Sequence, residues 1–158
     1  MTEETLIWTI ASPFFVSANK YHEEDYKMPW KTPEDRLYTK TDEWVMLDGQ
    51  SALIGITDYA QDQLSDIVYL ELPTIDESFS KDDIFATVES VKAAADVNMP
   101  VMAKITEVNN DLEDQPELIN LEPYEGAWFV KIDVQDVSQV EELMDASTYA
   151  DYCDSRSS

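Results

Sequence analysis

The sequence predicts a mainly β fold with short helices, and three observations carry that prediction. From residue 37 to about residue 134, short apolar runs alternate with turn residues; a strong hairpin signal joins two of the runs; and helical periodicity appears only near the C-terminus. Candidate strands fall at residues 44–47, 51–56, 66–72, 84–91, 97–108 and 127–134. Asp48-Gly49 joins the first two, because glycine tolerates the positive φ of tight hairpin turns. Thr57 is placed to cap a helix over residues 58–64, and Asn110 followed by Glu113 has the spacing of a capping box ahead of Pro116. Ser138 and Glu141 repeat that spacing, which puts Val140, Leu143 and Met144 on one helical face. Asp145 then caps a further turn carrying Tyr149 and Tyr152, and the tail over residues 151–158 is expected to fray.

Ahead of the domain at 37–150 lies an arm, residues 1–36, rich in aromatic, proline and charged residues. Pro13, Pro29 and Pro33 oppose a long helix there, and its two tryptophans are costly to leave in water, so the arm is expected to pack on the domain or on a partner.

Composition narrows the function. The 158 residues suit one domain, and 44% hydrophobic residues suffice for a packed core. Against 34 acidic residues stand 10 basic ones, a net charge of −24, which excludes nucleic acid and an anionic membrane surface as natural partners. Cys153 is the one cysteine, so there is no intrachain disulfide framework. No run reaches the ~18 apolar residues of a spanning helix, and the opening Met1-Thr2-Glu3-Glu4 lacks a basic leader; the expectation is a cytoplasmic monomer.

Enzymatic constellations are absent. His22 and Cys153 lie at opposite ends of the chain, and acidic pairs such as Asp82-Asp83 and Glu141-Glu142 are too common for one to stand out as an acid and base. The adjacent residues His22-Glu23-Glu24-Asp25 do not converge as metal ligands, and Gly49, Gly55 and Gly126 form no phosphate loop. Lys92 does stand out. It sits between two predicted strands, in a hairpin connection Ser90-Val91-Lys92-Ala93 that a type I turn would allow without glycine. Small alanines follow it, as they would if another protein had to dock over the turn. Spacing alone also allows a solvated lysine that neutralises Glu89 or Asp96.

The stretch from Glu89 to Asp96, Glu-Ser-Val-Lys-Ala-Ala-Ala-Asp, resembles the lipoyl-attachment turn of the glycine cleavage system H-protein family. The resemblance extends in order through Tyr38 to Val45, Gly55 to Gln61, Asp66 to Pro73, Glu107 to Asn109, Leu112 to Asn120 and Gly126 to Phe129. It implies a lipoyl-domain-like hybrid barrel-sandwich with a C-terminal helix, and lipoic acid joined through an amide to Lys92. It further implies that Glu89 and Asp96 are read by a lipoate-protein ligase or lipoyl transferase, and that the protein is a swinging-arm carrier rather than an enzyme. Valine and alanine beside Lys92, in place of methionines, weigh against a biotin carrier.

Two pathways stand even under this resemblance. One is glycine cleavage, with glycine decarboxylase, aminomethyltransferase and dihydrolipoyl dehydrogenase as partners. The other is carriage of a sulfur intermediate for a heterodisulfide-reductase-like complex in sulfur oxidation. Departures from the family pattern, namely Asp42 at the usual histidine, Met99-Pro100-Val101-Met102-Ala103 after the hairpin, and the long arm, suit a specialised relative. Ala103 at a usual glycine implies no positive φ there. An acidic structural protein or nucleic-acid mimic would account for the charge but not for Lys92.

Overall fold

The computed structural model describes residues 29–157, in which nine strands form two antiparallel sheets. The strands are β1 (Leu37–Tyr38), β2 (Glu43–Asp48), β3 (Ser51–Ile56), β4 (Ile67–Glu71), β5 (Ser78–Phe79), β6 (Ile84–Ser90), β7 (Ala94–Asn98), β8 (Ala103–Val108) and β9 (Val130–Val134). The larger sheet has the order β1-β2-β3-β9-β8-β5 and the smaller one β4-β6-β7. Four helices accompany them: α1 (Asp58–Leu64), α2 (Asp111–Asp114), α3 (Leu118–Leu121) and α4 (Ala146–Ser157), with a 3-10 turn at Val137–Glu142.

Apolar strand residues build the interior, with the most regular alternation in β9. In β9 every second residue is buried, and Val45, Ile54, Val88, Val97, Ile105 and Ile132 meet between the sheets. Burying each such side chain contributes about 1.5–3 kcal/mol. A second cluster, richer in polar handles, packs Tyr38, Trp44, Tyr59, Tyr124, Tyr149 and Cys153 between the larger sheet and α4. Trp44 lies so close to its cross-strand neighbour Gly55 that a Cβ there would meet the indole at 2.7 Å.

The hairpin signal at Asp48-Gly49 is realised: Asp48 pairs with Ser51, and Gly49 takes φ +64°. Thr57 caps α1 by accepting from the Ala60 amide at 3.1 Å, and Asp145 accepts from the Thr148 amide at 2.9 Å at the start of α4.

Elsewhere the structure differs from the sequence reading. The run 97–108 is two strands in different sheets. Pro100, which has no amide to donate to a ladder, lies in the crossing between β7 and β8, and Met99 is instead held by backbone bonds to Asp82 and Asp83. Asn110 makes no side-chain cap, since its own backbone is already helical; Asp136 rather than Ser138 caps the 3-10 turn, accepting from the Ser138 amide. The two-residue strands β1 and β5 lack any readable period. The tail does not fray as expected: α4 continues through Ser157, because Cys153 is buried and Arg156 is paired. Ala103 is a buried strand residue outside the positive-φ region, as the sequence implied.

The described end of the arm packs on the domain. Trp30 meets Tyr59 edge-on at 4.7 Å and donates its indole N–H to Asp62 at 2.9 Å. The Lys31 carbonyl accepts from the Tyr124 hydroxyl at 2.6 Å. Arg36 is buried over the Trp44 ring at 4.7 Å and donates to the Tyr124 carbonyl at 2.8 Å. The remainder of the arm, His22 included, lies outside the described residues.

Candidate functional site

Lys92 stands at the tip of the β6–β7 hairpin, and the tip is fixed from below. The Ser90 amide donates to the Ala93 carbonyl at 2.7 Å, with Glu89 and Ala94 as the next pair. Neither Val91 nor Lys92 has a positive φ, as a type I turn permits. The turn is completed by a side chain: the Ser90 hydroxyl accepts from the amides of Lys92 at 3.1 Å and Ala93 at 2.9 Å and donates to the Ala93 carbonyl at 3.0 Å. Serine thus substitutes for a backbone acceptor, a role its short hydroxyl suits. The Val91 amide donates to the Asp66 carbonyl at 3.0 Å, tying the tip to the segment before β4.

The Lys92 side chain is exposed, and its ammonium donates to the Gln63 carbonyl at 3.3 Å. That carbonyl lies in the last turn of α1, where helix oxygens lack intrahelical partners and the dipole favours a cation. Among the described residues Lys92 makes no ion pair with Glu89 or Asp96, so the solvated-pair alternative is not what forms.

Gln63 also lines a cavity of about 180 Å³ between α1, the start of β2 and β7, whose wall includes Thr41, Asp42, Glu43, Leu64 and Asp96. The two acidic residues singled out in the sequence therefore part company. Asp96 faces Thr87 across the ladder and lies on the cavity wall, whereas Glu89 is exposed on β6 opposite Ala94, away from the cavity.

Glu43 escaped the sequence reading. It is 1% exposed, accepts from the hydroxyls of Thr39 at 2.5 Å and Thr41 at 2.6 Å on one oxygen, and accepts from the Asn98 amide at 3.0 Å on the other. Burial pushes its carboxyl up to about 7, the hydrogen bonds from Thr39, Thr41 and Asn98 pull only part of the way back, and the Asp42 charge adds to the rise. The available signal was a carboxylate opening an apolar strand with threonines two and four residues before it. A second hollow, of about 350 Å³ and also lined by Thr41 and Glu43, contains no residue of the Lys92 hairpin.

Cys153 is buried, and burial pushes its thiol up from the ordinary value. Among the described residues no group of three or more His, Cys, Asp or Glu side chains is placed to hold a metal ion, and no helix is long and apolar enough to cross a membrane.

Comparison with known proteins follows the same geometry. The sequence model of the family described as "Glycine cleavage H-protein" matches residues 36–156. A "Glycine cleavage system H protein" of Halothermothrix orenii is 48% identical over 120 residues, which is 76% of this chain and 94% of that protein. The "Glycine cleavage system H protein 2, mitochondrial" of Arabidopsis thaliana is 46% identical over 121 residues, covering 77% of this chain and 78% of that one. A crystal structure of a glycine cleavage system H protein from Mycobacterium marinum superposes with TM-score 0.70 at 34% identity, covering 75% of this chain and 96% of that one. The two-sheet architecture is accordingly the lipoyl-domain-like barrel-sandwich, and residues ahead of 36 lie outside the family match.

Proposed function

The chain belongs to the glycine cleavage H-protein family, and from that premise we propose that Lys92 is its lipoyl attachment point and that it serves glycine cleavage. Proteins of this family carry lipoate covalently on a lysine and are carriers, not catalysts. The observation that carries the assignment is a lone exposed lysine at the tip of a side-chain-braced hairpin, beside a cavity that its own hydrogen-bond acceptor lines.

The residues present fit the group. An amine exposed at a turn tip and free of Glu89 and Asp96 is accessible to an acylating enzyme. Acylation removes the charge but leaves one N–H on Nζ, enough to keep the bond to the Gln63 carbonyl. When attached, lipoate supplies a dithiolane that accepts both a transferred group and electrons. The chain supplies position: Ser90 fixes the base of the arm, Gln63 would orient its first bond, and the cavity walled by Thr41, Glu43, Leu64 and Asp96 would receive its far end. Glu43, which changes protonation near neutrality, can hold or release a proton there. Glu89 and Asp96 remain the proposed contacts for the lipoate-protein ligase or lipoyl transferase.

A domain that begins at residue 37 and runs past the expected boundary at 150 to the end of α4, and a cytoplasmic, monomeric carrier, complete the reading. Relatives named for glycine cleavage favour decarboxylase, aminomethyltransferase and dihydrolipoyl dehydrogenase as partners over a heterodisulfide-reductase-like complex. Reconstitution decides this. The lipoylated chain mixed with those enzymes should support glycine consumption, and no turnover with them, together with turnover by a heterodisulfide-reductase-like complex, would reverse the assignment of pathway.

A further inference from the structure

Arg156, near the C-terminus, meets the wall of the cavity through Asp42. It lies in the last turn of α4, and its guanidinium makes two bonds to the Asp42 carboxylate, 2.7 Å to Oδ1 and 3.2 Å to Oδ2. Asp42 also accepts from the Tyr149 hydroxyl at 2.7 Å. The guanidinium is sandwiched over the rings of Tyr59 at 4.2 Å and Tyr152 at 4.0 Å, so its orientation is set by flat neighbours as well as by the carboxylate. Both side chains of the pair are mostly buried, at 27% and 17% exposed, which places it above the near-zero worth of a surface ion pair.

Asp42 is the residue through which this grip reaches the site. It holds φ +77°, a left-handed conformation that a non-glycine residue adopts at some cost, and its carbonyl accepts from the Thr57 amide. It stands on the cavity wall between Thr41 and Glu43. Without a countercharge, Asp42, Glu43 and Asp96 would gather three carboxylates around one small cavity.

Resting on the parked-arm reading above, we propose that Arg156 is a positioning residue for the Lys92 cavity: acting through Asp42, it pins the turn that carries Thr41 and Glu43 and cancels one carboxylate charge at the cavity wall. The C-terminal helix is then part of the carrier site. The groups facing Glu43 are Thr39, Thr41 and Asp42 from its own turn and Asn98 and Asp96 from β7; Lys40, Lys81, Asp82 and Glu142 line the second hollow.

The test follows the Glu43 carboxyl carbon by NMR through a pH titration of the full unlipoylated chain, with thermal unfolding as the check on folding. Arg156→Gln should move the midpoint upward, because a nearby cation is lost, and Arg156→Lys should restore most of the shift. Asp42→Asn, which keeps a residue tolerant of positive φ, should move it downward. A midpoint unchanged in folded Arg156→Gln, or shifted as far in Arg156→Lys, overturns the proposal; if Arg156→Gln does not fold, an unmoved midpoint in Asp42→Asn does so. The parked arm is judged separately. If the titration behaves as expected but the lipoyl resonances of the loaded chain show no proximity to Thr41 or Asp96, Arg156 keeps its role and the parking site falls.

Discussion

Two hairpins of this protein solve the same turn problem in different ways. Between β2 and β3 the chain reverses through Gly49 at φ +64°, and a Cβ added there would meet nothing within 4 Å: the backbone alone makes the turn, which presents no exposed cation. Between β6 and β7 there is no glycine. Ser90 spends its hydroxyl on two amides and a carbonyl, and the tip carries Lys92. A turn built only to reverse the chain takes the residue with the fewest steric restrictions, whereas a turn built to present a side chain excludes that freedom and braces itself with a side chain. The surroundings differ as well: β2 runs from Glu43, beside the Lys92 cavity, to Asp48 at the glycine turn, so the two environments lie at opposite ends of one strand.

The largest effect should come from the carboxylate under the lysine hairpin. Glu43 rises from an ordinary 4.5 to about 7 on folding, so folding disfavours its charged form. Below pH 4.5 it is protonated in both states and costs nothing; as pH rises through the window to about 7 the unfolded state ionises first, and stability falls by about 3 kcal/mol. Denaturant unfolding between pH 4 and 8 should show that loss, and Glu43→Gln should flatten it by a like amount. A slope unaltered in Glu43→Gln would remove the buried carboxylate from the account.

At the other hairpin, Gly49→Ala should cost about 1–2 kcal/mol through its left-handed backbone and leave lipoylation untouched. Ser90→Ala inverts that pattern. Its three hydrogen bonds are at an exposed turn, so equilibrium stability should drop by about 1 kcal/mol or less, while loading by lipoate-protein ligase slows several-fold because the tip loses its brace. Equal loading rates for the two variants would break the contrast. The smallest effect belongs to Gln50→Lys, which places a lysine on the glycine turn: stability should stay within about 0.5 kcal/mol of the parent, and mass spectrometry should find no lipoyl group at residue 50.

Much of this was legible in the sequence. Short apolar runs between turn residues marked most of the strands, Asp48-Gly49 marked its hairpin, and Lys92 announced itself as a cation between two strand patterns in a chain short of cations. What escaped was whatever depends on distant partners. The break at Met99 to Met102 hides in an apolar run, since only the assembled sheets show that β7 and β8 belong to different layers. Arg156 read as part of a fraying tail because its partner, Asp42, is 114 residues away. Glu43 went unremarked because its burial is a property of the packed domain, where Thr39, Thr41 and the Asn98 amide converge on it.

The central claim is that Lys92 carries the lipoyl group, and intact-mass measurement tests it most directly. After expression with lipoate and a lipoate-protein ligase, the chain should gain the mass of one lipoyl amide, fragmentation should place it on Lys92, and Lys92→Arg should show no gain. A parent chain that stays unmodified, or a modification that persists in Lys92→Arg, would contradict the account.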